Sequence, residues 1–128
     1  MLAIVSDLHL GDDRSGRSPP LGSMLDQLFE RARRAQARSV NRERGREGPL
    51  DLLLLGDIVE LVRTRRWRDT GHTPYESPSP GRSALVERIV RETLQAHAAL
   101  TLAVRRRVEA GQLRVHYVLG THDRLLAE

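Results

Sequence analysis

Three short apolar runs along the chain predict β-strands. The runs are Leu2–Ser6, Asp51–Leu55 and Leu113–Leu119. The first stops at Asp7, the second at Gly56 and the third at Gly120, so each run has the length of a strand rather than of a helix. Because the first two are apolar without clear alternation, we expect strands buried on both faces, as in a parallel sheet.

Helical spacing of apolar residues separates these runs. The first helical segment follows a possible capping box of Ser23 and Asp26, and its apolar positions are Met24, Leu25, Leu28, Phe29 and Ala32. The second is predicted to begin at Ser83, to break near His97 and to stop at Gly111. Its apolar face includes Val86, Ile89, Val90, Leu94, Leu100, Val104 and Val108.

The remaining segments are predicted to be irregular. Residues 11–20 and 63–82 are rich in Gly, Pro and Ser, which favours loops, and residues 30–47 have the composition of a solvated helix end followed by a flexible turn. The element order is thus strand, helix, strand, helix, strand. Under the right-handed crossover rule, this order predicts an α/β domain over residues 1–128, with three parallel strands and crossover helices.

Composition narrows the possible chemistry. All 21 basic residues are Arg, and the net charge is +4, which is compatible with an anionic substrate. The absence of Cys excludes disulfides and thiolate metal sites, so any metal would be held by Asp, Glu or His. The sequence shows neither a leader peptide nor a run of membrane-spanning length, and we expect a cytoplasmic protein.

A short polar motif follows each predicted strand. The motifs are Asp7-Leu8-His9, Gly56-Asp57-Ile58-Val59-Glu60 and Gly120-Thr121-His122-Asp123. Each is weak evidence alone, but all three would lie beyond the carboxyl ends of neighbouring parallel strands, where ligands bind in such sheets.

In order and spacing, the three motifs resemble those of the calcineurin-like metallophosphoesterases, which have Asp-x-His, Gly-Asp-x-x-(Asp/Glu) and Gly-Asn-His-(Asp/Glu). The resemblance implies half of an αββα sandwich and a metal-dependent hydrolysis of a phosphomonoester, phosphodiester or pyrophosphate. It leaves the phosphorylated substrate open.

The resemblance also implies a metal site. Asp7 and His9 would be ligands of a first metal, and Asp57 would bridge it to a second. Two divalent ions, Mn, Fe or Zn, would activate a hydroxide and neutralise the phosphoryl oxygens. In the family, an Asn at this position of the third motif is a ligand of the second metal. Here the position is occupied by Thr121, whose neutral hydroxyl is a poor metal ligand.

The resemblance implies two further roles, both for residues of the third motif. His122 would contact the substrate phosphate and assist the leaving group, and Asp123 would hold the His122 ring. Glu60 matches the second motif, but we assign it no ligand role. His72, His97 and His116 are interpreted as surface or packing residues.

The family's later histidine motifs and its second sheet lie beyond the half that this sequence resembles. We therefore expect the chain alone to bind at most one divalent ion weakly and to show little or no turnover. An uncovered sheet would also favour self-association.

Two other functions stay open. One is a non-catalytic remnant that folds or binds a partner, which the Thr121 substitution favours. The other is a nucleic-acid-binding module, which the low aromatic content and interleaved acidic residues make the less favoured reading. It would act through Arg31, Arg33, Arg34, Arg38, Arg42, Arg44 and Arg46.

Overall fold

The protein contains a three-stranded parallel sheet, seen in a computed structural model that describes residues 1–11, 21–40 and 48–127. The strands are β1 (Leu2–Val5), β2 (Leu50–Leu55) and β3 (Leu113–Val118), and β2 lies in the centre. Both strand pairs are parallel. The predicted α/β class and the three parallel strands are confirmed.

In the described ranges, four α-helices accompany the sheet. They are α1 (Leu21–Val40), α2 (Arg66–Thr70), α3 (Pro80–Ala96) and α4 (Ala98–Glu109), and a 3₁₀ turn follows β3 at Arg124–Ala127. A solvated helix end was predicted from Glu30 onward, and helix α1 continues to Val40. The flexible turn predicted to follow it falls on residues 41–47, which lie outside the described ranges. Residues 12–20 of the first predicted loop also lie outside them. None of the described helices is long and apolar enough to cross a membrane.

The boundaries of α3 differ from the prediction at one end and agree at the other. The cap is Ser79 rather than Ser83, because the Ser79 side chain accepts a hydrogen bond from the Arg82 backbone N–H at 3.2 Å and Pro80 suits the first helical position. The predicted break is confirmed at His97, which ends α3 and precedes α4. Helix α2 lies within the predicted loop of residues 63–82.

The described residues form two apolar core clusters. One joins α1 to the beginnings of β2 and β3, and its buried members are Phe29, Ala32, Leu50, Leu52 and Leu113. The other lies beyond the carboxyl ends of the strands and contains Leu10, Ile58, Val59, Leu61, Trp67, Leu85, Ile89 and Leu125. The second cluster therefore supports the loops that carry the polar motifs.

One face of the sheet is open in the described structure, so the prediction of strands buried on both faces is wrong. Leu2 and Ile4 are 59% and 57% exposed, and Val118 is 48% exposed. The register places Asp51 and Arg114 side by side, and their side chains form an ion pair at 2.9 Å. The face therefore mixes apolar and charged side chains. Self-association through this face stays a prediction.

Trp67 is expected to anchor the cluster behind the motif loops. Its indole Nε1 donates a hydrogen bond to the Leu61 carbonyl at 2.7 Å, and both residues are buried. Trp67→Phe would leave that carbonyl unpaired, and we expect the free energy of unfolding to fall by about 1–3 kcal/mol. Urea unfolding followed by circular dichroism measures the change. Tyr75→Phe is the control, because Tyr75 is largely exposed; equal midpoints for the two variants would contradict the prediction.

Candidate metal centre

The loops after β1 and β2 run side by side beyond the ends of their strands. The parallel pairing continues as an isolated bridge between Leu10 and Val59. The backbone hydrogen bonds run from Asp7 N to Gly56 O (3.3 Å), His9 N to Asp57 O (3.0 Å), Leu10 N to Ile58 O (2.8 Å) and Glu60 N to Leu10 O (2.8 Å). The first and second motifs are therefore held in a fixed register.

Three residues in these loops have left-handed backbone conformations. The φ angles are 54° at Asp7, 45° at His9 and 49° at Asp57. Among the described residues, these are the non-glycine positions with positive φ. The conformation is unfavourable for L-residues, by roughly 1–2 kcal/mol each, although Asp and His tolerate it better than most.

The same three residues form a possible cation site. One ligand atom from each of Asp7, His9 and Asp57 can be chosen so that all three lie within 4.8 Å of one another. Asp7 and His9 are exposed and Asp57 is half-buried, so the group is open to solvent. Two carboxylates and one imidazole suit a divalent ion that accepts oxygen and nitrogen ligands.

The third motif is in direct contact with the second. A Cβ on Gly120 would lie 2.4 Å from the Asp57 backbone nitrogen and 2.8 Å from the Gly56 Cα, so glycine is required for this close approach. The His122 backbone N–H donates to Asp57 Oδ1 at 2.8 Å. The backbone of His122 is therefore held beside the Asp57 carboxylate.

Glu60 contacts both imidazoles. Its Oε2 lies 3.0 Å from His9 Nδ1, and its two oxygens lie 2.7 and 2.9 Å from His122 Nδ1. The two rings meet edge to face, with centroids 4.9 Å apart and an interplanar angle of 87°. Backbone N–H groups of Val62 and Arg63 also donate to Glu60 Oε1, which fixes the carboxylate.

The ionisation state of Glu60 determines which nitrogen of each imidazole ring carries the proton. Burial raises the pKa of the Glu60 carboxyl, but hydrogen bonds from His122, the Arg63 N–H and His9 outweigh it, so the pKa lies below the ordinary value. Because an ionised carboxylate only accepts, each ring places its proton on Nδ1. The Nε2 lone pair of each neutral ring is then left for a cation or a substrate, as in a carboxylate–histidine–metal arrangement.

Asp123 has a different position from the one predicted. It is fully buried, and its carboxylate accepts hydrogen bonds from the Ile58 N–H at 2.9 Å, the Gly120 N–H and the Tyr117 hydroxyl. Burial raises the pKa of Asp123, but the hydrogen bonds from Tyr117, Ile58 and Gly120 outweigh it and the pKa is lowered. Asp123 thus ties the second and third motifs together, whereas Glu60 holds the His122 ring.

The sequence interpretation missed Glu60, although a signal was present. Glu60 follows Asp57 by three residues within the second motif, and that spacing brings its carboxylate back towards both histidines. Thr121 is exposed between Gly120 and His122, and its role as a ligand stays a prediction.

The other three histidines contact residues outside the two groups of possible cation ligands. His72 Nδ1 contacts Glu76 at 2.5 Å, His97 Nε2 contacts the Gly11 carbonyl at 3.2 Å, and His116 Nε2 contacts Asp51 at 3.0 Å. In the described ranges, none of the three belongs to a group of possible cation ligands.

The arginines proposed for nucleic-acid binding are only partly described. Arg31, Arg33, Arg34 and Arg38 are exposed on α1, and Arg42, Arg44 and Arg46 lie outside the described residues. Nucleic-acid binding stays an untested prediction.

Comparisons with known proteins give no match. No family model matches the sequence, and neither a curated protein nor a solved structure is significantly similar to the chain. A function must therefore be inferred from the residues at the carboxyl edge of the sheet.

Proposed function

We propose that the chain carries the metal centre of a phosphoester or pyrophosphate hydrolase. The proposal rests on one observation. Asp7, His9 and Asp57 are the described non-glycine residues with positive φ, and the same three residues form a group of possible cation ligands. Strained backbone of this kind persists where the surrounding structure enforces it, commonly at functional sites.

The ligand set determines which metals fit. The Asp7 and Asp57 carboxylates with His9 Nε2 would hold Mn, Fe or Zn. When bound, such an ion supplies a Lewis acid for the phosphoryl oxygen and lowers the pKa of bound water. The Glu60 carboxylate keeps the His9 proton on Nδ1, which leaves Nε2 as the ligand atom.

His122 is placed to act on the substrate. Its backbone N–H donates to Asp57, and its ring is held by Glu60 through Nδ1, so Nε2 has no hydrogen-bond partner among the described residues. In the protonated form, the ring would donate a hydrogen bond to a phosphoryl oxygen and a proton to the leaving group. The ring is 16% exposed, which is enough for contact with a substrate at the open edge.

Hydrolysis of an activated aryl phosphodiester tests the proposal. With protein in excess over substrate, we expect slow turnover that requires Mn²⁺, because one ion alone neutralises only part of the developing charge. Asp57→Asn should abolish this turnover while preserving an oxygen acceptor for the His122 N–H. His72→Asn is the control, because His72 contacts Glu76 away from the site. Wild-type protein that is no faster than Asp57→Asn would overturn the proposal.

A further inference from the structure

A second group of possible cation ligands lies beside the first. His9, Glu60 and His122 offer one ligand atom each, all within 4.8 Å of one another. The group contains two imidazoles and one carboxylate, and it shares only His9 with the Asp7, His9 and Asp57 group. The Glu60 and His122 side chains are 13% and 16% exposed, so this group is more enclosed than the first.

The arrangement of donors at Glu60 is unusual within the described structure. Two other histidines contact carboxylates, His72 at Glu76 and His116 at Asp51, but each of those carboxylates receives one imidazole. At Glu60, two Nδ1 atoms converge on the same oxygen, at 3.0 Å from His9 and 2.9 Å from His122. Both imidazole nitrogens thus lie within 3.0 Å of one carboxylate oxygen.

The distances are close to those that a zinc ion needs. Zinc bonds to histidine nitrogen and carboxylate oxygen measure about 2.0–2.2 Å, so tetrahedral ligand atoms lie roughly 3.3–3.5 Å apart. The present separations from Glu60 Oε2 are 3.0 and 2.9 Å, and side-chain movements of a few tenths of an ångström would open the group to that size.

We propose that His9, Glu60 and His122 bind Zn²⁺ at a site distinct from the Asp7, His9 and Asp57 group. His9 Nδ1, His122 Nδ1 and one Glu60 oxygen are the three protein ligands, and the fourth position is open to water. Zinc is favoured because it is a borderline ion that accepts imidazole nitrogen readily, whereas the neighbouring group has two hard carboxylates and one imidazole.

Sharing of His9 makes the two groups competitors. Coordination through Nδ1 moves the ring proton of a neutral His9 to Nε2, the nitrogen that the first group uses. Zinc at the second site therefore weakens binding of Mn²⁺ at the first, and by linkage the effect is reciprocal. The zinc site itself requires no hydrolytic activity and stands independently of the proposed function.

Paired titrations of Zn²⁺ and Mn²⁺ test the inference. For Zn²⁺, we expect affinity to fall at least about tenfold in His122→Ala and in Glu60→Gln, and to be kept in Asp57→Asn and in the control His72→Asn. For Mn²⁺, we expect binding to be lost in Asp57→Asn and kept in His122→Ala. Two variants are used so that the test still holds if either His122→Ala or Glu60→Gln fails to fold. Trp67 fluorescence would reveal such misfolding.

The nature of the ligands is tested by X-ray absorption at the zinc edge of the Zn²⁺-loaded protein. Two imidazole rings in the coordination shell are expected, and one ring is expected in His122→Ala. Zinc affinity that is unchanged in both folded variants would overturn the inference and leave Glu60 as a hydrogen-bond partner only. Loss of Zn²⁺ in Asp57→Asn with retention in His122→Ala would also overturn it, by placing zinc in the first group.

Discussion

Asp123→Ala is expected to lower the free energy of unfolding by at least about 2 kcal/mol. The fully buried carboxylate accepts hydrogen bonds from the Ile58 and Gly120 backbone N–H groups and from the Tyr117 hydroxyl. Each buried donor left without an acceptor costs about 1–3 kcal/mol. Because these donors lie in the loop after β2, in β3 and in the loop after β3, loss of their common acceptor should separate the second motif from the third.

The effect of Asp123→Ala should depend on pH. The folded pKa of Asp123 lies below its ordinary value of 3.8, so its contribution to stability is present above that value and is lost as pH falls through the folded pKa. The difference between wild type and variant, measured by urea unfolding, should therefore shrink in acid. Asp26→Ala is the matched control, since Asp26 is an exposed partner of Arg107. Equal losses for Asp123→Ala and Asp26→Ala would contradict the assignment.

Gly120→Ala is expected to disrupt the metal centre directly. The new Cβ would lie 2.4 Å from the Asp57 backbone nitrogen, and because the opposing atoms are backbone, the loops must separate. We expect about 1–3 kcal/mol of destabilisation from overpacking. We also expect Mn²⁺ affinity to fall at least about tenfold, because Asp57 would be displaced from Asp7 and His9.

The control for Gly120→Ala is Gly48→Ala, where a Cβ would have no heavy atom within 4 Å. Calorimetric titration with Mn²⁺ and urea unfolding should both separate the two variants. A Gly120→Ala protein with wild-type stability and wild-type Mn²⁺ affinity would show that the close approach of the second and third motifs is not needed for the site.

Much of the fold could be predicted from local patterns. Each apolar run became a parallel strand within one residue of its predicted ends, because short apolar runs bounded by turn-forming residues have the length of strands rather than of helices. The break at His97 was also visible in the pattern. The open face of the sheet could not be predicted. The apolar side chains of Leu2 and Ile4 favour burial, but the sequence pattern does not show whether the described residues cover them.

The location of the site residues could be predicted from the sequence, but the contacts between them could not. The motifs placed Asp7, His9 and Asp57 at one sheet edge, but their left-handed conformations depend on the pairing of two loops distant in sequence. The contact of the His122 ring with Glu60 instead of Asp123 has the same cause. Buried N–H groups of Ile58 and Gly120 need an acceptor, and Asp123 satisfies them, so the His122 ring is bonded to Glu60.

The central claim is that Asp7, His9 and Asp57 together hold a divalent cation. Calorimetric titration with Mn²⁺ of the wild-type chain, of Asp57→Asn and of the exposed-residue control Asp26→Asn tests it most directly. We expect the wild type and the control to bind a single ion per chain weakly, because three strong ligands come from this group, and Asp57→Asn to bind none. Equal Mn²⁺ affinity in Asp57→Asn and wild type, or no binding by the wild type, would contradict the claim.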